Sequence, residues 1–224
     1  MALPIIFDCD GVLINSEGIY IDVELAIMRQ AGMDISASDY QAQFVGIPHD
    51  QLLLALRAES NARGLAFPED FEAQHTVEVE RRFAVELAAV PGLVPLLEAH
   101  SGPRAVASSS NPGPLAEKLA FTGLEGYFAP HIYSTKQAGR GKPAPDVYLM
   151  AAEKLGLPPA ACTVIEDSAN GTKAGVAAGM RVWGFTGAGH GDAGLAARLL
   201  EAGAQAVFDD YGAIQAHLAA GDLL

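Results

Sequence analysis

Cysteine is almost absent: Cys9 and Cys162 are the only two among 224 residues. They lie far apart with no CxxC or Cys/His spacing, which excludes a disulfide framework and a thiolate metal centre. Each falls in an apolar run and reads as a small buried hydrophobe. Basic residues are scarce as well, 14 Lys and Arg against 27 Asp and Glu, for a formal net charge of −13. That balance repels polyanions and argues against a nucleic-acid or anionic-membrane partner. No apolar stretch approaches the ~20 residues of a bilayer-spanning helix. Met1 to Phe7 carries no basic segment or cleavage site, so the expectation is a cytoplasmic, monomeric protein. The six histidines form no i, i+4 pair, and an imidazole metal site is not expected. The glycine-rich stretch 187–191 lacks dinucleotide-binding spacing and reads as a loop.

Apolar residues make up 50% of the chain, enough to bury a substantial core. Short apolar runs at Leu3–Asp8, Arg104–Ser108, His131–Ser134, Thr163–Asp167, Arg181–Phe185 and Ala206–Phe208 read as strands. Most are continuous rather than alternating, as expected for strands buried on both faces of a parallel sheet. Helical patterns separate the later strands. One spans Pro145 to Leu155 and closes at Gly156; another begins at Ser168, a good N-cap, and runs to about Gly179. Gly171, Gly175 and Gly179 are spaced for close packing of that helix on the sheet. The alternation predicts an α/β fold with a doubly wound parallel sheet.

From Ser16 to about Ala88 the alternation stops and only helices are legible. Ile19, Val23, Ala26 and Ile27 form one stripe, ended by Gly32. Ser38 with Gln41 reads as a capping box. Leu53, Leu54 and Leu56 lie on a further helix, and Pro68-Glu69-Asp70 opens a long one carrying Phe71, Val79, Phe83 and Leu87. The expected organisation is an α/β core of residues 1–14 and 89–224 with an all-helical insert, residues 15–88.

Ligands of parallel α/β sheets bind beyond the carboxyl ends of the strands. There the sequence places Asp8-Cys9-Asp10-Gly11-Val12, Ser108-Ser109-Ser110-Asn111 and Glu166-Asp167-Ser168, with Gly141-Lys142-Pro143 leading into a helix. Asp8, Asp10, Glu166 and Asp167 on one rim would repel one another without a cation. A hard divalent ion with oxygen ligands answers that, and Mg²⁺ takes few carboxylates along with substrate phosphate and water. Lys142 and Ser108 offer a point charge and a hydroxyl to an anion, and backbone N–H groups of the turn after the first strand could form an anion nest. Two acids two residues apart on a strand end point the same way, so one can attack phosphorus while the other handles the proton. Ser168 is better read as an N-cap than as a ligand.

These four segments, in this order, resemble the four motifs of the haloacid dehalogenase-like hydrolase superfamily. The insert after the first motif resembles the cap of its phosphoglycolate-phosphatase and β-phosphoglucomutase-like branch. The resemblance implies that Asp8 is the nucleophile, forming an aspartyl-phosphate. Asp10 would protonate the leaving alcohol and then activate water, its carbonyl helping to hold Mg²⁺. Ser108, Lys142 and the Ser109 backbone would bind phosphoryl oxygens. Asp167 would ligate the metal directly, and Glu166 directly or through water. Glu17, Gly46 and His49 would meet the substrate from the cap, which would close over the rim and exclude water. The implied activity is Mg²⁺-dependent hydrolysis of a small phosphorylated metabolite, a sugar phosphate or sugar-acid phosphate.

Departures from the pattern bear on the alternatives. The sugar-phosphate mutases of this branch carry histidine where Tyr20 stands and arginine where His49 stands, which favours a phosphatase over a mutase. Asn15 stands where many relatives have Asp. A phosphate-receiving signalling domain lacks both the helical insert and a second acid at the Asp10 position. A Ca²⁺ loop starting at Asp8 needs Gly sixth and Glu twelfth, where Leu13 and Ile19 stand. Charge divides unevenly: residues 15–88 hold 13 acids and 5 basic residues, and four of the core's acids belong to the candidate metal site. The acidity therefore excludes large polyanions but not a small phosphate ester met by a cation.

Overall fold

The computed structural model describes residues 2–44, 49–189, 191 and 193–221, without the side chains of residues 41, 42, 49 and 50. The chain divides into two compact units, Met1–Asn15 with Ala88–Leu224, and Ser16–Leu87.

The first unit is a six-stranded parallel sheet: β1 (Ile5–Phe7), β2 (Arg104–Ser108), β3 (Ile132–Ser134), β4 (Thr163–Glu166), β5 (Arg181–Phe185) and β6 (Ala206–Phe208). Their spatial order is β3-β2-β1-β4-β5-β6. Each expected apolar run is a strand, and β1, with its burial pattern unbroken, is fully covered on both faces. Chain order reverses between β1 and β4, so the crevice at their carboxyl ends is the topological switch point where ligands of such sheets bind. Register places Phe7 beside Ile165 and Val106, so the residues that follow, Asp8 and Glu166, come side by side.

The connecting helices of this unit include α5 (Leu93–Ala99), α7 (Glu125–Phe128), α8 (Thr135–Ala138) and α11 (Leu195–Glu201), and the others follow from local chemistry. Asn111 and Pro112 open α6 (Pro112–Phe121), and α9 (Asp146–Leu155) ends on Gly156 in the left-handed conformation. Ser168 caps α10 (Ala169–Ala177), its hydroxyl accepting from the Gly171 N–H at 3.0 Å. Gly175 allows α10 to close on the sheet, since a Cβ there would fall 2.7 Å from Val182 Cγ2. Gly179 differs from the packing expectation: nothing lies within 4 Å, and its φ of +73° is what requires glycine. Where the chain leaves and re-enters this unit, Asn15 and Ala88 clasp each other. The Asn15 side-chain oxygen accepts from the Ala88 N–H at 2.8 Å, and the Asn15 N–H donates to the Ala88 carbonyl at 3.1 Å.

The second unit contains α1 (Ser16–Gln30), α2 (Ala37–Phe44), α3 (His49–Ala62) and α4 (Phe71–Glu86), with no strand among the described residues. Packing of α1 against α4 and α2 widens its apolar face beyond the expected stripe. Ile21, Leu25 and Met28 join Ile19, Val23 and Ile27 in the interior, while Ala26 is exposed. On α3, Leu52 and Leu56 are buried and Leu54 faces solvent. The cap of α2 sits at Ser36, not Ser38. The Ser36 carbonyl accepts the first helical bond from Tyr40, and its hydroxyl accepts from the Asp39 N–H (3.1 Å) while donating to the Asp39 carboxylate (2.6 Å). Two overlapping capping sequences were available, and the one with an acid at its third helical position prevails. Inside the unit, the buried Glu24 carboxylate accepts from the Tyr40 hydroxyl at 2.7 Å. Tyr20 stacks on His75 and meets Phe83 edge-on, so it serves as a packed aromatic of the helical core.

Candidate active site

Beyond the end of β1 the chain turns sharply through Cys9–Ile14. The Cys9 carbonyl accepts from the N–H groups of Val12, Leu13 and Ile14, and the Gly11 N–H donates to the Ile14 carbonyl. Gly11 supplies the positive φ, +76°, that closes this turn. The N–H groups of Gly11, Val12, Leu13 and Ile14 are therefore spent within the loop and do not serve an anion nest. Tyr211, at the start of α12 (Tyr211–Ala220), braces the loop by donating its hydroxyl to the Val12 carbonyl at 2.7 Å.

Asp8, Glu166 and Asp167, all buried, bring one oxygen each to within 4.8 Å of the others. Lys142 lies among them. Its ammonium donates to Asp8 Oδ1 at 2.6 Å, Glu166 Oε1 at 2.7 Å and the Ala107 carbonyl at 3.0 Å, which uses all three of its protons. It also sits 4.8 Å from the centroid of the Tyr148 ring. Burial works against the lysine's charge, but Asp8 and Glu166 outweigh it and push the ammonium well above its ordinary value. Burial likewise pushes the Asp8 carboxyl well up; Lys142 opposes this, and the neighbouring Glu166 and Asp167 reinforce it.

Glu166 is held on every side. Oε1 accepts from Lys142 and from the Tyr148 hydroxyl at 3.0 Å; Oε2 accepts from the Ser168 N–H (2.8 Å) and hydroxyl (2.9 Å). A carboxylate offers about four acceptor positions, and in Glu166 protein donors fill them. Glu166 is thus committed to protein donors, while Asp8, Glu166 and Asp167 together form the acidic group of the site. An all-oxygen donor set of buried carboxylates suits a hard divalent ion.

Asp10 behaves differently from the expectation that it points with Asp8. The strand ends at Phe7, so its two-residue period does not carry on to Asp10. The Asp10 carboxylate accepts instead from Lys118 Nζ at 2.5 Å and from the Ser110 hydroxyl at 2.8 Å, and it is not part of the cluster of Asp8, Glu166 and Asp167. Ser108 is buried at the end of β2 and its hydroxyl accepts from the Ser110 N–H at 3.0 Å; Ser109 beside it is exposed. Glu17 stands in the first turn of α1. Gly46 lies outside the described residues, as does the His49 side chain, of which only the place at the start of α3 is described.

Lys118, Tyr148 and Tyr211 escaped the sequence reading. A signal for Lys118 was present: with Leu115 and Leu119 it occupies the i, i+3, i+4 stripe that α6 buries. A lysine on an apolar stripe needs an anionic partner.

An open parallel sheet in strand order 3-2-1-4-5-6, with buried acids and a lysine at its switch point, defines a doubly wound α/β enzyme. Residues 5–179 match the family model of the haloacid dehalogenase-like hydrolases. The chain belongs to that family and is a hydrolase. It is 31% identical over 184 residues to the phosphorylated carbohydrates phosphatase of Thermotoga maritima, covering 80% of this chain and 83% of that one. Hexitol phosphatase B of Escherichia coli K12 is 32% identical over 189 residues, covering 80% and 81%. Among solved structures, a HAD family hydrolase from Deinococcus radiodurans R1, crystallised with bound phosphate and sodium, superposes with a TM-score of 0.85 at 34% identity, over 99% of this chain and 96% of that one.

Proposed function

We propose that this hydrolase is a Mg²⁺-dependent phosphatase of small phosphorylated carbohydrates, acting through an aspartyl-phosphate on Asp8. The observation that carries this reading is the buried Asp8–Lys142–Glu166–Asp167 cluster at the switch point of the sheet. Relatives named for phosphorylated carbohydrates and hexitols, and a structural neighbour holding phosphate, support the substrate class.

An Asp8 oxygen attacks phosphorus, the bond from phosphorus to the ester oxygen breaks, and Asp10, entering this step protonated, gives that oxygen its proton. Water then attacks the phosphoryl group, Asp10 takes the water's proton, and the bond to Asp8 breaks to release phosphate. Lys142 keeps Asp8 oriented and offsets its charge, while Glu166 fixes Lys142. Ser108 and the Ser109 backbone receive phosphoryl oxygens. Asp8, Asp167 and the Asp10 carbonyl would hold the cation, with Glu166 contributing directly or through water; when bound, it would neutralise charge on the carboxylates and on the phosphoryl group. The helical unit sets substrate choice through Glu17, Gly46 and His49. With Tyr20 locked in an aromatic stack, that unit does not offer the histidine of a mutase at this position.

The test is phosphate release from a panel of sugar, sugar-acid and hexitol monophosphates with Mg²⁺. Turnover that requires the cation and vanishes in Asp8→Asn is expected. Turnover retained in Asp8→Asn, or an isomerised sugar phosphate accumulating in place of free phosphate, overturns the reading.

A further inference from the structure

We infer that Lys118, acting with Ser110, is the positioning residue that holds Asp10 for both proton transfers; this rests on the proposal that Asp10 serves phosphate-ester hydrolysis. The side chain of Lys118 is 5% exposed. A buried ammonium is tolerated when it is paired and hydrogen-bonded, and an aliphatic residue would fill the same stripe of α6 at no electrostatic cost.

What the lysine does is visible in the closed triangle it completes. Lys118 Nζ donates to Asp10 Oδ1 at 2.5 Å and to the Ser110 hydroxyl at 2.9 Å, and that hydroxyl donates to Asp10 Oδ2 at 2.8 Å. Ser110 is anchored in turn, its N–H on the Ser108 hydroxyl and its carbonyl on the Ser134 hydroxyl at 2.6 Å. Both Asp10 oxygens are thereby fixed relative to Ser108, the proposed phosphate-binding hydroxyl. Three chain segments meet there: the turn after β1, the loop after β2, and α6.

Holding the carboxylate in one place matters because the two half-reactions use it in opposite senses. In the first it enters protonated and gives its proton to the leaving oxygen; in the second, now a carboxylate, it takes a proton from the attacking water, which restores the protonated form. Misplacing a catalytic group by about 1 Å can cost roughly 10²-fold in rate.

p-Nitrophenyl phosphate separates the half-reactions, because its leaving phenolate departs without a proton. Lys118→Met is expected to release a burst of up to one equivalent of p-nitrophenolate per enzyme and then turn over roughly 10²-fold more slowly than wild type, with KM falling along with kcat because breakdown of the phosphoryl-enzyme has become limiting. With an alkyl phosphate, which needs the proton to leave, the burst should be absent. Lys118→Arg should recover part of kcat, and Ser110→Ala, which removes one arm of the triangle, should reproduce the slow second step more mildly. Steady-state rates within twofold of wild type, or a burst lost together with turnover in both Lys118→Met and Ser110→Ala, overturn the inference. Wild-type enzyme that hydrolyses no phosphate ester instead overturns the phosphatase reading. The pairing is checked apart from turnover by urea denaturation of Lys118→Met, Asp10→Asn and the double variant: non-additive effects are expected, and additive ones overturn the inference.

Discussion

Glu166 occupies the volume that a side chain at Gly171 would need: a Cβ built on Gly171 would fall 1.6 Å from Glu166 Oε1 and 1.9 Å from its carboxyl carbon. The glutamate cannot step aside cheaply, since Lys142, Tyr148 and Ser168 all hold it. Gly171→Ala is therefore expected to cost roughly 1–3 kcal/mol in urea denaturation and to depress turnover by releasing Lys142 from its anchor. Gly179→Ala is the contrast. Its positive φ imposes about 1–2 kcal/mol of left-handed strain, but no neighbour is disturbed, so kcat should be unchanged.

Lys142 carries the charge balance of the site. Lys142→Met leaves Asp8 and Glu166 buried without the cation they share, a change expected to cost about 3–5 kcal/mol near neutral pH. A lysine whose folded value is raised stabilises the fold below its ordinary value of 10.5, and that contribution is lost as pH rises through the folded value. The gap between wild type and Lys142→Met should thus hold from neutral pH to about 10.5 and close only at higher pH, as read from urea midpoints.

The sheet was legible because strands covered on both faces leave continuous apolar runs, and the site was legible because its acids and lysine sit at strand ends. What escaped depends on contacts remote in sequence. Lys118 reaches Asp10 across 108 positions, and Tyr211 reaches Val12 across 199. No local pattern encodes such pairs. Ala26 was misplaced for a related reason: how wide a face α1 buries is decided by α2 and α4 together, not by its own periodicity. Ser36 and Ser38 offered competing caps of similar local quality, and the acid at Asp39 decided between them.

Asp167 gives a test of the cation site that does not depend on substrate. A ligand that binds only the folded chain, at 100 times its Kd, adds about 2.7 kcal/mol, or roughly 5–10 °C in Tm for a chain of this size. Mg²⁺ should produce a shift of that order in wild type, measured by calorimetry, and a chelator should abolish it. Asp167→Asn removes the charge of one acid of the cluster while leaving the Lys142–Glu166 contact in place. It should unfold cooperatively but show little or no shift.

His100 is expected to give the α/β unit a pH dependence remote from the chemistry. Its Nε2 lies 2.7 Å from the Leu3 carbonyl, an acceptor, so this nitrogen carries the hydrogen. Burial lowers the imidazole from its ordinary value of 6.5, the bond to Leu3 opposes that, and nearby Arg104 adds to it. The sign follows from which state binds the proton. The unfolded chain takes it up near 6.5 and the folded chain only at lower pH, so stability present above 6.5 is lost as pH falls through the folded value. His100→Gln, neutral throughout and able to donate to Leu3, should lose less stability than wild type between pH 7.5 and 5. The difference in slope should stay below about 1.4 kcal/mol per pH unit, the limit for one proton. Parallel pH profiles from urea denaturation of the two proteins would show that His100 does not titrate differently on folding.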